Sequence, residues 1–274
     1  DIYINGVYTQ STNRVITSIY GLLPDTDYNI EVVESAQAGD AGTRNESNKG
    51  SLSVHTDFEY VTLNVRDFGA YGNGEHDDTL AIQTAIMACP ENARVYVPAG
   101  TYKITTLFLK SNLVLDLAKD AVLSAFTERE RFGILPGMIQ SYDEKDEYNL
   151  GTWEGNPLDC FTGIITGINV ENVVITGEGT IDGCASFDNW WKDAKIRKIA
   201  WRPRLVFISH CKNVLLHGVT VTNSPSWTLH PYFTDNIRFV DLKVINPANS
   251  HNTDGLDPES CTGVEIVGVY FSVG

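Results

Sequence analysis

The sequence predicts an all-β chain: a right-handed parallel β-helix, or solenoid, with an N-terminal capping helix, preceded by part of a small β-sandwich. Two observations carry the solenoid. Short runs that open on Asn or Gly and continue as β sequence recur as Asn112-Leu-Val-Leu-Asp-Leu, Asn172-Val-Val-Ile-Thr-Gly, Asn213-Val-Leu-Leu-His-Gly, Asn236-Ile-Arg-Phe-Val-Asp and Gly263-Val-Glu-Ile-Val-Gly. The last four start 41, 23 and 27 residues apart, and such spacing, with one short strand per repeat, belongs to stacked coils. Most intervals are too short and too poor in helical periodicity for a sheet that needs a helix between parallel strands. Asparagine at the repeated turn suits left-handed backbone angles and a side-chain amide ladder.

The elements follow in order. Residues 1–57 read as short strands, Arg14 to Tyr20, Tyr28 to Val33 and Ser51 to Thr56, with turn residues between them. The run Leu23-Pro24-Asp25-Thr26-Asp27-Tyr28 resembles the signature of fibronectin type III modules. That resemblance implies a corner hydrogen bond from the tyrosine and a module represented only by its C-terminal half. Residues 58–274 form the second region, the N-terminal portion of the β-helix. Its turn-rich opening, Asp67 to Gly74, leads to Asp77-Asp78-Thr79, a helix-capping cluster. Leu80, Ile82, Ala85, Ile86 and Cys89 then fall at helical spacing before Pro90, predicting a helix over 78–89. Laid across the end of a solenoid, it covers sheet edges and apolar surface. The aspartate pair reads as structural for the same reason. Val95 to Tyr102 reads as a strand and turn.

Composition narrows the function. With 274 residues and 42% hydrophobic content the chain supports a large core. Its formal charge of −15 argues against nucleic acid as a partner. No apolar run reaches membrane-spanning length and no leader pattern opens the chain, so no membrane partner is expected. A monomer is expected. The densest basic stretch is Trp190 to Arg204, with Lys192, Lys195, Arg197, Lys198, Arg202 and Arg204 among three tryptophans. Charge runs of this kind are usually solvated. Cys89, Cys160, Cys184, Cys211 and Cys261 lack zinc spacing and cannot all pair, so neither metal nor cofactor is expected. Cys211 and Cys261 read as stacked small core residues.

The candidate chemistry lies in residues 246–261, where Asn252, Asp254, Asp257 and Glu259 crowd between two apolar strands. In an extended strand, Asn252 and Asp254 project to one face. Asn252 either touches a ligand or orients Asp254. Asp257, before Pro258, reads as a turn residue or supporting acid. His230 and His251 lie near the same groove, with a structural histidine favoured, and Trp227 reads as core before sugar platform. Arg202 and Arg204 offer guanidinium forks for carboxylates, or structural ends to a ladder. A row of such residues along stacked coils fits a long polymer, and the composition of the row points to carbohydrate.

Phe68-Gly-Ala-Tyr-Gly-Asn-Gly with Asp77-Asp78-Thr79, Gly179-Thr-Ile-Asp-Gly183, Arg202-Pro-Arg204, Asn223-Ser-Pro-Ser-Trp-Thr-Leu-His-Pro231 and Asn252-Thr-Asp-Gly255 together resemble the polygalacturonase family of glycoside hydrolases, over residues 60–274. The first block is shared with other β-helix proteins; the ordered set is specific. The resemblance implies hydrolysis of α-1,4 bonds in polygalacturonate or pectin with inversion, by a secreted or periplasmic enzyme. The N-terminal module and the Asp257-Pro-Glu-Ser-Cys261 continuation resemble the bacterial, often exo-acting branch. The family resemblance also implies a catalytic role for Asp254; His251, Asn252, Asp257, Arg202 and Arg204 are the residues expected, from their types and positions, to contact the substrate. The family places an Asp-Asp pair one coil later, then Gly-His-Gly and Arg-x-Lys segments. This chain reaches Ser272-Val273-Gly274 without them, so it is expected to be part of a longer enzyme and inactive alone. A calcium-dependent pectate lyase and a non-catalytic glycan-binding β-helix are the alternatives.

Overall fold

A computed structural model describes residues 1–35, 44–140 and 147–274. The chain divides into two compact units, Asp1–Tyr60 and Val61–Gly274.

The first unit is a four-stranded antiparallel sheet in the order Val7–Gln10, Ile2–Ile4, Asp27–Ser35 and Arg44–His55. The expected strand from Tyr28 to Val33 lies inside Asp27–Ser35, and that from Ser51 to Thr56 overlaps the end of Arg44–His55, which stops one residue earlier. The expected strand from Arg14 to Tyr20 is absent. That stretch carries no strand and leaves Val15 99% exposed, so β-branched residues alone do not make it a strand. A hairpin not foreseen from the sequence takes its place, turning at Asn5 (φ 50°) and Gly6 (φ 78°). Asn-Gly between apolar runs is the standard signal for that turn. The Tyr28 hydroxyl accepts the Leu23 N–H at 2.8 Å.

The second unit is built on three parallel sheets, through which the chain passes in rotation, with three two-stranded antiparallel pairs between residues 134 and 161. The first sheet stacks Val61–Asn64, Ala93–Val97, Leu113–Leu117, Glu171–Gly177, Lys212–His217, Asp235–Val240 and Thr262–Val267. All five repeated segments are therefore neighbours, in the register Leu113, Val173, Val214, Ile237, Val264. The second sheet stacks Asn73–Asp77, Gly100–Ile104, Ala121–Ala125, Thr180–Asp182, Thr220–Thr222, Lys243–Ile245 and Tyr270–Ser272. The third holds Leu107–Phe108, Ile165–Ile168, Val206–Ser209 and Leu229–Tyr232. Alternate residues of the first sheet, such as Leu115, Leu117, Ile175 and Leu216, are fully buried in one continuous core, as the two-residue strand period requires.

The asparagine ladder is present. Asn112, Asn172, Asn213 and Asn236 all have φ of 55–57°. Each amide donates to the preceding one, Asn172 to Asn112 at 2.9 Å, Asn213 to Asn172 at 3.0 Å and Asn236 to Asn213 at 2.8 Å. Asn213→Ala loses both of its ladder bonds and keeps a side chain in left-handed geometry, so it is expected to destabilise by about 2–3 kcal/mol. Asn213→Gly, which relieves the backbone, is expected to cost less; chemical denaturation of both variants checks the difference.

The helix spans Thr79–Ala88 and stands where the first coil would carry its third-sheet strand. Ile82, Ala85 and Ile86 enter the core. Gln83 binds the edge of the third sheet, accepting the Phe108 N–H at 2.8 Å and donating to the Phe108 carbonyl at 2.9 Å. The two aspartates act differently from simple caps. Asp78 makes no capping bond; its buried carboxylate accepts the Tyr71 and Gly72 N–H groups at 2.7 and 3.0 Å. Asp77 accepts the Thr79 N–H and hydroxyl.

Candidate active site

Residues 246–261 leave the second sheet after Ile245 and occupy the third-sheet position of their coil. They rejoin the stack where Leu256 pairs with Leu229 and Glu259 with Tyr232. The Asp254 carbonyl accepts the Thr228 N–H at 2.8 Å. Upstream the backbone is not extended: Asn252 has φ 55°. The expected strand face carrying Asn252 and Asp254 together is therefore corrected to a loop, because a left-handed residue breaks the alternation. Asn246 staples this loop from inside, donating to Thr228 Oγ1 at 2.9 Å and the Thr253 carbonyl at 3.2 Å. Gly255 fits because a Cβ there would lie 2.5 Å from the Phe271 ring. Asp254 itself is exposed.

Arg202 holds the loop's upper half. Only 4% exposed, it donates through Nη1 to the Pro225 and His251 carbonyls and through Nη2 to Asn252 Oδ1, each at 2.7 Å. Burial, with Arg204 and Arg129 adding to it, lowers its pKa to about 10. Arg204 is equally buried and gives its Nη donors to the Thr152 and Arg202 carbonyls and to Cys160 Sγ. Its guanidinium carbon lies 4.5 Å from the Trp153 ring and 4.8 Å from that of Trp227. Of the two roles the sequence leaves open for these forks, ligand contact or a structural end to a ladder, the bonds formed within the chain fit the structural one. Nor is the Trp190 to Arg204 stretch simply solvated, since Trp190 and Trp191 are buried while Lys192, Lys195 and Arg197 are exposed.

His230 is 1% exposed and its Nε2 meets Glu259 Oε2 at 3.1 Å. Burial pushes its pKa down to about 4, against the pull of Glu259. It is a structural histidine. His251 is exposed and packs edge-on to Phe187 at 5.6 Å. Asp257 is half-buried, and burial first, then the Asp254 charge, raises its pKa to about 7. Among the cysteines, Cys211 is buried and Cys261 half-buried, and all five are free thiols. Among the described residues, no group of three or more His, Cys, Asp and Glu side chains is arranged to hold a metal ion.

Two long connections, 126–164 and 183–205, stand on the coils before Asp254. They lock together. Phe132 and Phe161 pack edge-on to Trp190 at 5.6 and 5.7 Å, Arg129 covers the same ring at 4.5 Å, and Arg197 pairs with Asp159 at 2.9 Å. Trp153 stacks on Trp227 at 5.3 Å and lies 5.8 Å from Trp201. Residues 141–146, inside the first of these connections, lie outside the described residues. Trp153, Thr152 and Cys160 were not foreseen as part of the site. They reach it from about fifty residues before Arg204, on a connection without periodicity.

Residues 143–274 match Glycosyl hydrolases family 28, and residues 62–116 match Rhamnogalacturonase A/epimerase, pectate lyase-like. The chain has homologues among the family 28 polygalacturonases. It is 30% identical over 244 residues to a probable polygalacturonase of Vitis vinifera, covering 85% of this chain and 48% of that protein. It is 32% identical over 209 residues to the exo-poly-alpha-D-galacturonosidase of Dickeya chrysanthemi, covering 70% and 31%. The exopolygalacturonase of Thermotoga maritima superposes with a TM-score of 0.64 at 25% identity, over 79% of this chain and 54% of that one. The chain thus spans about half or less of the curated relatives it matches. Every candidate residue, from Arg202 to Asp257, falls inside the family 28 match.

Proposed function

We infer that this chain carries the first half of the active site of an inverting glycoside hydrolase that cleaves α-1,4-galacturonosidic bonds in polygalacturonate or pectin. The observation that carries the reading is Asp254, an exposed carboxylate on the Asn-Thr-Asp-Gly loop that Arg202 pins through His251 and Asn252, within the family 28 match. In this reading Asp254 orients and deprotonates the attacking water. Inversion needs a second carboxyl about 6.5–9.5 Å away as the acid, and we assign it to a further coil of a longer enzyme. Asn252 and Arg202 then position the loop, and exposed His251 meets the sugar. The exposed Lys192 and Lys195 of the basic stretch are the local cations we propose to offset the chain's negative field for a uronate.

The rest of the reading concerns architecture. The three sheets turn as a right-handed β-helix, and the Thr79–Ala88 helix caps it through Gln83 and its buried apolar face. Residues 1–57 form part of a fibronectin type III-like module, supported by the Tyr28 to Leu23 bond. We read the interlocked connections as a wall on the N-terminal side of Asp254, which would make the action exo, and we propose a secreted or periplasmic monomer. Chromatography of the products tests both chemistry and mode. Saturated mono- or digalacturonate released from the start, with chelator present, is the expected result. Unsaturated, calcium-dependent products would identify a lyase, a broad ladder of oligomers would overturn the wall, and binding without turnover would point to a glycan-binding β-helix.

A further inference from the structure

The chain has five tryptophans, and the structure divides them. Trp190 and Trp191 are core residues, 0% and 4% exposed. Trp153, Trp201 and Trp227 are only half-buried and gather at one place, where Trp153 stacks on Trp227 and approaches Trp201. They come from three separate segments. Trp227 belongs to the coil before Asp254: Leu229 pairs with Leu256, so Trp227 holds the position that Asp254 takes on the next coil, and the Thr228 N–H bonds the Asp254 carbonyl. Trp153 sits beside a tight hairpin turn at Glu154 (φ 50°) and Gly155 (φ 74°). Trp201 follows a strained one. Exposed Ile199 has φ 66° in a three-residue turn closed by the Ala200 N–H on the Lys198 carbonyl at 2.8 Å. That geometry is costly for a β-branched residue and persists where the surroundings impose it, often at ligand clamps. Here the clamp is the Trp201 N–H on the Asp159 carbonyl and the Phe161 N–H on the Trp201 carbonyl, both at 2.9 Å.

Two buried charges lie against these rings. The Arg204 guanidinium faces Trp153 and Trp227 at 4.5 and 4.8 Å, and that of Arg202 lies 5.8 Å from Trp153. Every hydrogen-bond partner of the two side chains is neutral: carbonyls, the Asn252 amide oxygen and the Cys160 thiol. The Nε of each makes no hydrogen bond. Asp257 and Glu259 act on Arg204 through space, but the charges acting on Arg202 are those of Arg204 and Arg129, both positive. Burying a charge without a bonded counter-ion is costly. In a chain of net charge −15, two such cations behind an aromatic surface give that surface a local field suited to an anion. A pyranose ring presents C–H groups on one face, which an indole accepts without hydrogen bonds, and a uronate adds a carboxylate for the field. We propose that Trp153, Trp201 and Trp227 form a stacking subsite for a galacturonate ring on the N-terminal side of Asp254, and that Arg202 and Arg204 make it select uronate over neutral sugar. The proposal rests on the reading of the chain as a polygalacturonate hydrolase and adds the contacts that hold the sugar next to the bond cleaved.

The five indole N–H groups supply the test. Their signals in a nitrogen–proton correlation spectrum, assigned by single replacements with phenylalanine, are followed while trigalacturonate is added to the Asp254→Asn protein, in which the ligand persists. The signals of Trp153, Trp201 and Trp227 are expected to shift together and saturably, and those of Trp190 and Trp191 to stay. Shifts confined to the backbone around residue 254, with the three indoles unmoved, overturn the subsite and leave the hydrolase reading standing; no binding of trigalacturonate at all overturns both. Methyl-esterified trigalacturonate, which keeps the rings and loses the charge, is expected to bind about tenfold or more weakly, and equal affinity overturns the selection by charge. In the active enzyme, Trp201→Ala leaves the Arg204 contacts of Trp153 and Trp227 in place. It should raise KM for trigalacturonate about tenfold, the size of a modest aromatic anchor, and this should be the larger share of its effect on kcat/KM. Trp201→Phe should recover part of the loss. An unchanged KM in Trp201→Ala overturns the contact.

Discussion

Asp254→Asn is expected to lower the rate of polygalacturonate cleavage by about 10²–10⁴-fold, the range for loss of a positioned base, without unfolding the protein. The reason for the second clause is geometric. The bond that ties this residue to the stack is the Thr228 N–H to its carbonyl, which asparagine keeps, and the side chain is exposed. The loop around it is held from elsewhere, by Asn246 beneath and Arg202 behind. Reducing-end release by parent and variant, together with their denaturation midpoints, measures both parts. A variant retaining more than about a tenth of parental activity would remove Asp254 from the base role, since even modest general-base contributions exceed that.

Arg202→Ala is expected to be the most damaging change outside the carboxylates. The buried guanidinium makes three 2.7 Å bonds, to the Pro225 carbonyl, the His251 carbonyl and Asn252 Oδ1. Truncation leaves three acceptors without their donor, so a loss of about 3–5 kcal/mol in stability is expected. Activity should fall by about 10²-fold as well, because a misplacement of about 1 Å in a catalytic loop has that effect. Arg202→Lys should not rescue it: an ammonium on a flexible stem does not reproduce a planar fork. Arg197→Ala, which removes an exposed residue of the same basic stretch, should change stability by under about 1 kcal/mol. Equal effects from the two alanine variants, read by urea denaturation, would show that burial of Arg202 contributes nothing special.

The contrast between those arginines shows what the sequence conceals. Charge and spacing identify Arg202 and Arg204 as forks, but not what covers them. The cover is the 126–164 connection, which has no period to read, and it brings Trp153 and Thr152 over them from a distant part of the chain. The ladder is the opposite case. One turn position adopts φ of 55–57° at Asn112, Asn172, Asn213 and Asn236, and asparagine both tolerates that angle and bonds to its copy on the next coil, so composition and conformation carry the same message. The helix was legible because Ile82, Ala85 and Ile86 recur at its period and Pro90 stops it. The Asn252 and Asp254 pairing failed for a local reason: an asparagine that was read as a strand residue is instead the left-handed one. Asn5-Gly6 holds a legible hairpin signal beside a stretch, Arg14 to Tyr20, whose β-branched residues join no strand among the described residues.

The most direct test of inverting hydrolysis is the anomeric form of the first product, followed by proton NMR while the active enzyme cleaves an α-1,4-oligogalacturonate. The β-anomer of the new reducing end is expected to appear first and then mutarotate. The α-anomer appearing first would mean a retaining mechanism, and a product with a 4,5 double bond would mean elimination; either contradicts a water activated by Asp254.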